Sequence, residues 1–154
     1  MIKSKLNFII LIIFVCNLSF SSSANNNIEF LTLKNNKVNL RQGPSFDYPV
    51  KLIYKKKYLP VIIINKMETW RQIKDHQKNS GWVHVSQLSK RKSAININDN
   101  SIIYKKPTIY SKPVARLQTG RLVLIKKCKK EWCKVTSGNF NGWILEKFLW
   151  GKIN

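Results

Sequence analysis

Short apolar runs, rich in β-branched and aromatic residues, alternate with polar turns along most of the chain. Examples are Pro60 to Ile64, Thr69 to Lys74 and Trp82 to Val85, which Asn, Gly, Lys and Ser residues separate. Runs of this length between turn-forming residues are typical of β-strands. Beyond residue 24, no stretch keeps a helical repeat of apolar positions over three turns. The pattern predicts an all-β protein, with at most a short helical turn near Val85 to Leu88.

The landmarks of these runs occur twice in the same order, at offsets that fall from 64 to 61 residues. The corresponding pairs are Pro49-Val50 and Pro113-Val114, Glu68 and Glu131, Trp70 and Trp132, Ile73 and Val135, Gly81-Trp82-Val83 and Gly142-Trp143-Ile144, and Leu88 and Leu149. Self-similarity at this period indicates two tandem units. Several short strands in so few residues are too few for a sandwich, so two small β-barrels are expected, over residues 29–92 and 97–151. Ala94-Ile95 and Ile97, between the units, have the character of a packed strand and not of a flexible linker.

The first unit resembles the bacterial SH3 domain. The resemblance lies in three segments and their order: VNLRQGPSFDYPV, then LPVIIINKMETWRQI, then GWVHVSQL. The likeness is greatest to the two-copy exported form of alphaproteobacteria, because the second unit has the strings EWCKV, NGWI and LWG. The resemblance covers nearly the whole chain beyond the N-terminal segment. It implies two tandem SH3-like β-barrels that act as binding or targeting modules, many of them for peptidoglycan or other envelope ligands.

The N-terminal segment has the pattern of a signal peptide. Lys3 and Lys5 precede an apolar run from Phe8 to Val15, and Ser22-Ser23-Ala24 supplies small residues for cleavage. The apolar run is short for a membrane anchor, which is the alternative, and Val15 before Cys16 disfavours lipoprotein processing. Residues 1–24 are therefore predicted to be removed near Ala24, which leaves a periplasmic or secreted protein with no transmembrane segment.

The chain is strongly basic, with 28 Lys and Arg against 7 Asp and Glu and a net charge of +21. Loss of residues 1–24 would remove two lysines and no acid, leaving +19. The basic clusters are Lys55, Lys56, Lys57, Lys90, Arg91, Lys92, Lys126, Lys127, Lys129 and Lys130. Such runs are usually solvated faces, and an AT-rich genome would also raise the lysine content, but if they converge they form a polyanion site. Peptidoglycan or another anionic envelope component is the expected partner, and nucleic acid is not.

The alternation of inward and outward side chains along the strands predicts which residues would bind a ligand. If Ile73 and Val83 lie in the core, Trp70 and Trp82 lie on the opposite face. Trp132 lies opposite Val135 in the same way, whereas Trp143 is ambiguous because both Ile144 and Leu145 are apolar. The ligand-binding candidates are Phe46, Tyr48, Trp70, Trp82, Trp132 and Trp143, since aromatic rings suit peptide and sugar faces. The alternative is that the tryptophans fill the barrel ends or the seam between the units.

Cys128 and Cys133 have the spacing of a disulfide that joins the two strands of a hairpin. An even cysteine count after cleavage, in an oxidising compartment, favours this pairing. The aligned positions in the first unit are Lys66 and Arg71, so the disulfide is predicted for the second unit alone.

The residues needed for catalysis are scarce. The two histidines, His76 and His84, are not paired with cysteine, and neither a metal-ligand cluster nor a glycine-rich phosphate loop occurs. No enzyme activity, metal or cofactor is expected. The predicted function is non-catalytic binding or targeting in the envelope, to peptidoglycan or its peptide stems. The alternatives are a basic adaptor for anionic lipid or lipopolysaccharide, and a protein-binding module for a separate envelope hydrolase.

Overall fold

The structure is a computed structural model that describes residues 28–152, and these form fourteen strands and two 3₁₀ turns. The first unit contains β1 Phe30–Leu33, β2 Val38–Arg41, β3 Val50–Tyr54, β4 Pro60–Met67, β5 Trp70–Lys74, β6 Ser80–His84 and β7 Leu88–Ser89. The second contains β8 Ser93–Asn96, β9 Ser101–Tyr104, β10 Pro113–Leu117, β11 Leu122–Lys129, β12 Trp132–Ser137, β13 Phe140–Leu145 and β14 Leu149–Lys152. The 3₁₀ turns are Val85–Gln87 and Glu146–Phe148. The all-β prediction is confirmed, while the predicted signal peptide lies outside the described residues.

Each unit is one seven-stranded antiparallel sheet, and the two sheets have equivalent strand orders. The orders are β3-β2-β6-β5-β4-β1-β7 and β10-β9-β13-β12-β11-β8-β14. Within residues 28–152, β3 and β7 are the outermost strands of the first sheet, and β10 and β14 are the outermost strands of the second. The predicted tandem duplication is confirmed. Within the same residues, no helix has the length and apolar character needed to span a membrane.

Alternation along the strands decides which side chains form the two cores. Ile73 and Val83 are fully buried in the first core, and Val135 and Ile144 are their equivalents in the second. Residues one or three positions apart on a strand point to opposite faces. Trp82 and Trp143, directly before Val83 and Ile144, and Trp70 and Trp132, three positions before Ile73 and Val135, therefore lie on the outer faces of the sheets. Because Ile144 is buried, Trp143 points to the outer face. The sequence alone had left the face of Trp143 ambiguous.

The segment between the units is a fully buried strand, β8, that contributes to both cores. Ile95 packs in the first core and Ala94 in the second. β8 also pairs with β11 and β14 of the second sheet. The second sheet thus begins at Ser93, before residue 97, where the second unit was expected to begin. On the first unit's side, the Ser93 hydroxyl donates a hydrogen bond of 2.6 Å to the Tyr58 carbonyl. The two units are therefore packed against each other through β8.

Candidate functional site

Two grooves occupy equivalent places on the outer faces of the two units. The first groove has a volume of about 210 Å³ and is lined by Lys37, Asn39, Arg41, Phe46, Trp70, His84 and Gln87. The second groove is larger, about 690 Å³, and is lined by Pro107, Thr108, Ile109, Lys130, Glu131, Trp132, Leu145, Glu146 and Lys147. Trp70 is paired across its sheet with His84, and Trp132 with Leu145. The long loop of each unit joins β2 to β3 (residues 42–49) in the first and β9 to β10 (residues 105–112) in the second. Each unit therefore places a tryptophan and a residue of its long loop at the same point of the fold.

In the first groove, Phe46 covers the tryptophan. The Phe46 ring packs edge-on against Trp70 at a centroid distance of 4.9 Å, and His84 lies 5.3 Å from Trp70 on another side. Trp70 is consequently 7% exposed, whereas Phe46 is 67% exposed. A ligand in this groove would contact Phe46 before it reached the indole of Trp70.

Hydrogen bonds hold the loop that carries Phe46. The Arg41 guanidinium donates to the carbonyls of Phe46, at 3.0 Å, and Tyr48, at 2.7 Å. Gly43 lies directly beneath the Tyr48 ring, and a Cβ at this glycine would come within 2.6 Å of ring carbons. Arg41 therefore braces the loop, and both aromatic side chains remain exposed at its tip.

In the second groove the tryptophan is more open, because Trp132 is half-buried where Trp70 is buried. Ile109, 58% exposed, lines this groove at the loop position of Phe46. Tyr104 supports Trp132 edge-on from one side, at a centroid distance of 5.7 Å. An adjoining hollow of about 240 Å³ shares Ile109 and Leu145 with the groove. The larger groove therefore has an aliphatic side chain where the smaller groove has a phenyl ring.

The rim of the second groove carries charges of both signs. Lys130 and Lys147 contribute two cations, and Glu131 and Glu146 two carboxylates. The Glu146 backbone N–H donates to the Glu131 carbonyl at 2.8 Å, which fixes the two sides of the groove to each other. An apolar group seated against Trp132 would therefore have amine-binding and carboxylate-binding side chains beside it.

The predicted disulfide between Cys128 and Cys133 is present at the edge of this groove. The two cysteines are directly opposed on β11 and β12, and Trp132 immediately precedes Cys133. In the first unit, Lys66 and Arg71 are opposed in the same way, without a covalent link. A Glu146 carboxylate oxygen lies within 4.8 Å of the sulfur atoms, but a disulfide has no thiolates to offer to a metal ion.

The sequence profile of the bacterial SH3 domain family matches residues 34–90 and 98–151. The chain belongs to the bacterial SH3 domain family. A comparison with curated proteins finds no match.

Solved structures similar to this bacterial SH3 chain include NlpC2 and NlpC1 from Trichomonas vaginalis, at 14% and 15% identity and TM-scores of 0.38 and 0.37. Another is an NlpC/P60 family protein from Bacillus cereus ATCC 10987, at 10% identity and a TM-score of 0.36. These matches cover 81%, 83% and 79% of this chain, and 48%, 47% and 56% of the respective structures. The bacterial SH3 chain thus spans about half the length of the structures it matches.

The grooves of the two bacterial SH3 repeats bring together three of the six predicted aromatic residues. Phe46 and Trp70 line the first groove, and Trp132 lines the second. Tyr48, Trp82 and Trp143 line neither groove: Tyr48 is exposed at the loop tip, and the two tryptophans are half-buried on the outer faces.

Sequence reasoning missed Ile109 and Leu145, because it looked for aromatic residues. Their places in the grooves make them the counterparts of Phe46 and His84: Ile109 and Phe46 come from the loops, and Leu145 and His84 are paired with the groove tryptophans.

The predicted basic residues are all exposed. The runs 55–57 and 90–92 meet at Tyr58, whose ring has the Lys57 ammonium at 5.0 Å and the Arg91 guanidinium at 5.8 Å. Lys126, Lys127 and Lys129 lie along β11, and Lys130 is on the rim of the second groove.

Proposed function

We propose that this bacterial SH3 protein is a non-catalytic binding or targeting module of the cell envelope, and that its second groove holds the peptide stems of peptidoglycan. The observation that carries the proposal is the open Trp132 groove with its mixed-charge rim. Membership of a family of binding domains supports the absence of catalysis. The family and the strand order also support an SH3-like barrel as the form of each unit.

The chemistry of the second groove matches that of a peptide stem. A stem presents short aliphatic side chains together with free carboxylates and amino groups. The indole of Trp132 offers a large apolar face, Lys130 and Lys147 would bind carboxylates, and Glu131 and Glu146 would bind amines. The first groove is narrower and lined by Lys37, Arg41 and His84, so it would make a weaker, more anion-selective contact.

Retention of the protein on purified sacculi tests the proposal. Trp132→Ala should reduce retention at moderate salt by roughly 10-fold or more, because it removes a central aromatic contact. Ile109→Ser should also reduce retention, because it removes an apolar contact in the same groove. Phe46→Ala should have a smaller effect, because it alters the first groove. Ile64→Ser is the matched control for Ile109→Ser, because Ile64 is similarly exposed on β4 and lines neither groove.

Failure of the wild-type protein to bind sacculi would overturn the proposal, and so would equal losses in Ile109→Ser and Ile64→Ser. The experiment also separates the alternatives. An adaptor for lipopolysaccharide would depend on lysines and not on Ile109. A module for a separate envelope hydrolase would bind that protein, and not bare sacculi, through the groove.

We also propose that the protein is exported from the cytoplasm. The disulfide fits a location outside the reducing cytoplasm, and cleavage near Ala24 would give a periplasmic or secreted protein. Determination of the N-terminal residue of the protein recovered from the periplasmic fraction tests this. Recovery of the full-length chain from the cytosol alone would contradict it.

A further inference from the structure

Basic runs that are far apart in the sequence converge at the junction between the two units. Lys57 and Arg91 flank the same Tyr58 ring, although 34 residues separate them. The Ile125 N–H of β11 donates to the Lys92 carbonyl at 3.1 Å, so the second unit adjoins the same turn. We call Lys56, Lys57, Arg91 and Lys92 the junction strip.

Contacts between the units hold the junction strip in place. The Lys56 ammonium donates to the Gly120 carbonyl of the second unit at 3.3 Å. The Tyr58 carbonyl also accepts from the Ser93 hydroxyl of the second unit, at 2.6 Å. The junction strip is therefore held by contacts from both units.

The charge of the junction strip is not neutralised within the protein. Among residues 28–152, the one side-chain ion pair joins Lys66 to Glu29, and neither belongs to the strip. The Lys57 and Arg91 cations lie at the same Tyr58 ring, and Lys56 and Lys92 are their exposed neighbours in the sequence. The fields of charges this close add within the Debye length of about 8 Å at physiological salt. The four cations line neither groove. An exposed cationic surface of this kind suits a broad anionic partner better than a small ligand.

A partly exposed aromatic ring accompanies the cations. The half-buried Tyr58 ring lies 5.0 Å from the Lys57 ammonium and 5.8 Å from the Arg91 guanidinium. Tyrosine rings are enriched at membrane interfaces, where one end is apolar and the other is in water, and basic residues there are attracted to anionic headgroups. A soluble linear polyanion would make no use of the apolar face of the ring.

We propose that the junction strip docks the protein onto an anionic phospholipid surface, with the cations at the headgroup phosphates. The site is separate from the grooves, so it goes beyond the proposed function and does not depend on it. Lysine suits this partner, because its ammonium acts as a point charge without the fixed geometry of a bidentate contact.

Co-flotation with vesicles of equal parts phosphatidylcholine and phosphatidylglycerol tests the proposal. The triple variant Lys57→Gln, Arg91→Gln and Lys92→Gln should bind roughly 100-fold more weakly, as each basic residue near such a surface contributes about 1 kcal/mol. The control variant Lys105→Gln, Lys106→Gln and Lys112→Gln has the same net charge but leaves the strip intact, and should bind nearly as well as the wild type. Circular dichroism should show both variants folded.

Three results would overturn the proposal. The first is no flotation of the wild-type protein at physiological salt. The second is an equal loss in the two triple variants, which would indicate diffuse charge. The third is strip-dependent binding of soluble polyphosphate without binding to vesicles, which would assign the strip to a linear polyanion. Trp132→Ala should float like the wild type, so this experiment can fail or succeed independently of the sacculus experiment.

Discussion

At the residue scale, the most heavily hydrogen-bonded side chain of the first unit is the buried Asp75. Its carboxylate accepts from the Tyr54 hydroxyl at 3.0 Å, from the backbone N–H groups of Gln77 and Asn79, and from the Asn79 amide. Tyr54→Phe should lower the free energy of unfolding by about 1–3 kcal/mol, because it removes a buried hydrogen bond to a carboxylate. Urea unfolding at neutral pH measures the change, and an unaltered unfolding midpoint would contradict this role for Tyr54.

The same tyrosine should make stability depend on alkaline pH. Burial, together with the neighbouring Asp75 carboxylate, raises the pKa of Tyr54 above its ordinary value of 10.0. Above pH 10 the unfolded chain releases this proton while the folded protein keeps it, so stability falls as the pH rises towards the folded pKa. Tyr54→Phe should reduce this loss, measured by urea midpoints on either side of pH 10. Tyr110→Phe is the control and should keep the wild-type slope, because Tyr110 is 92% exposed.

The Gly-Trp pair occurs in both units, and the reason for its glycine is visible only in the structure. The alignment finds Gly81 and Gly142 but gives no reason for them. In the structure, a Cβ at Gly81 would lie 2.6 Å from the Arg41 carbonyl oxygen, and one at Gly142 would lie 2.5 Å from Ile103 Cγ2 and from the Tyr104 carbonyl oxygen. Glycine is needed where β6 approaches β2, and where β13 approaches β9.

Alanine at either glycine should therefore be costly. Gly81→Ala and Gly142→Ala should each lower the free energy of unfolding by about 1–3 kcal/mol, the usual cost of overpacking a core. Thermal and urea unfolding of the two variants measure it. If both variants unfold at the same urea concentration and temperature as the wild type, the paired strands can move apart without a loss of folding free energy.

At the element scale, the β11–β12 hairpin is the part of the second groove that the sequence predicted best. Spacing alone indicated that Cys128 and Cys133 face each other, because an antiparallel hairpin fixes which residues are opposed. Replacing both with serine should lower the free energy of unfolding by about 2 kcal/mol, the chain-entropy estimate for so short a loop. It should also weaken retention on sacculi, since Trp132 adjoins Cys133.

Reduction of the wild-type protein provides the control for the serine variant. Dithiothreitol should reproduce both losses in the wild type and change nothing in the variant. If reduction leaves retention on sacculi unchanged, the disulfide does not position Trp132 for binding.

The openness of the grooves was beyond sequence reasoning, because it depends on how the long loop of each unit folds back. Strand alternation placed Trp70 and Trp132 on outer faces correctly. It could not show that Phe46 lies over Trp70 while Ile109 leaves Trp132 open. A loop's path depends on individual contacts, such as the hydrogen bonds from Arg41 to two loop carbonyls, and these have no periodic signature.

At the scale of the whole molecule, the repeat predicted two units but not how they meet. A period of about 60 residues specifies what is duplicated, whereas the packing of one copy on the other depends on residues that are not shared. Ile95 enters the first core from a strand of the second sheet. Trp150 of β14 packs edge-on against Phe30 of β1 at a centroid distance of 5.2 Å. These contacts make the junction a third packed region that the alignment could not reveal.

Gly151 of β14 is the residue on which this junction should depend most. It has φ +148°, and a Cβ there would lie 2.6 Å from the Ser93 carbonyl oxygen, 2.8 Å from Ala94 Cα and 3.0 Å from Pro60 Cβ. Gly151→Val should force β14 away from β8 and from the first unit. We expect a loss of about 1–3 kcal/mol and separate unfolding of the two units in place of one transition.

Gly138→Val separates this effect from simple backbone strain. Gly138 also has a positive φ, +56°, but it lies in the β12–β13 turn, where the nearest atom to a Cβ would be an Arg121 side-chain nitrogen at 3.8 Å. The Gly138 variant should lose stability yet keep a single calorimetric transition and full vesicle binding. The Gly151 variant should show two transitions and weaker vesicle binding, because the junction strip needs both units in register. A single transition in Gly151→Val, with unchanged flotation, would show that the units do not stabilise each other through β14.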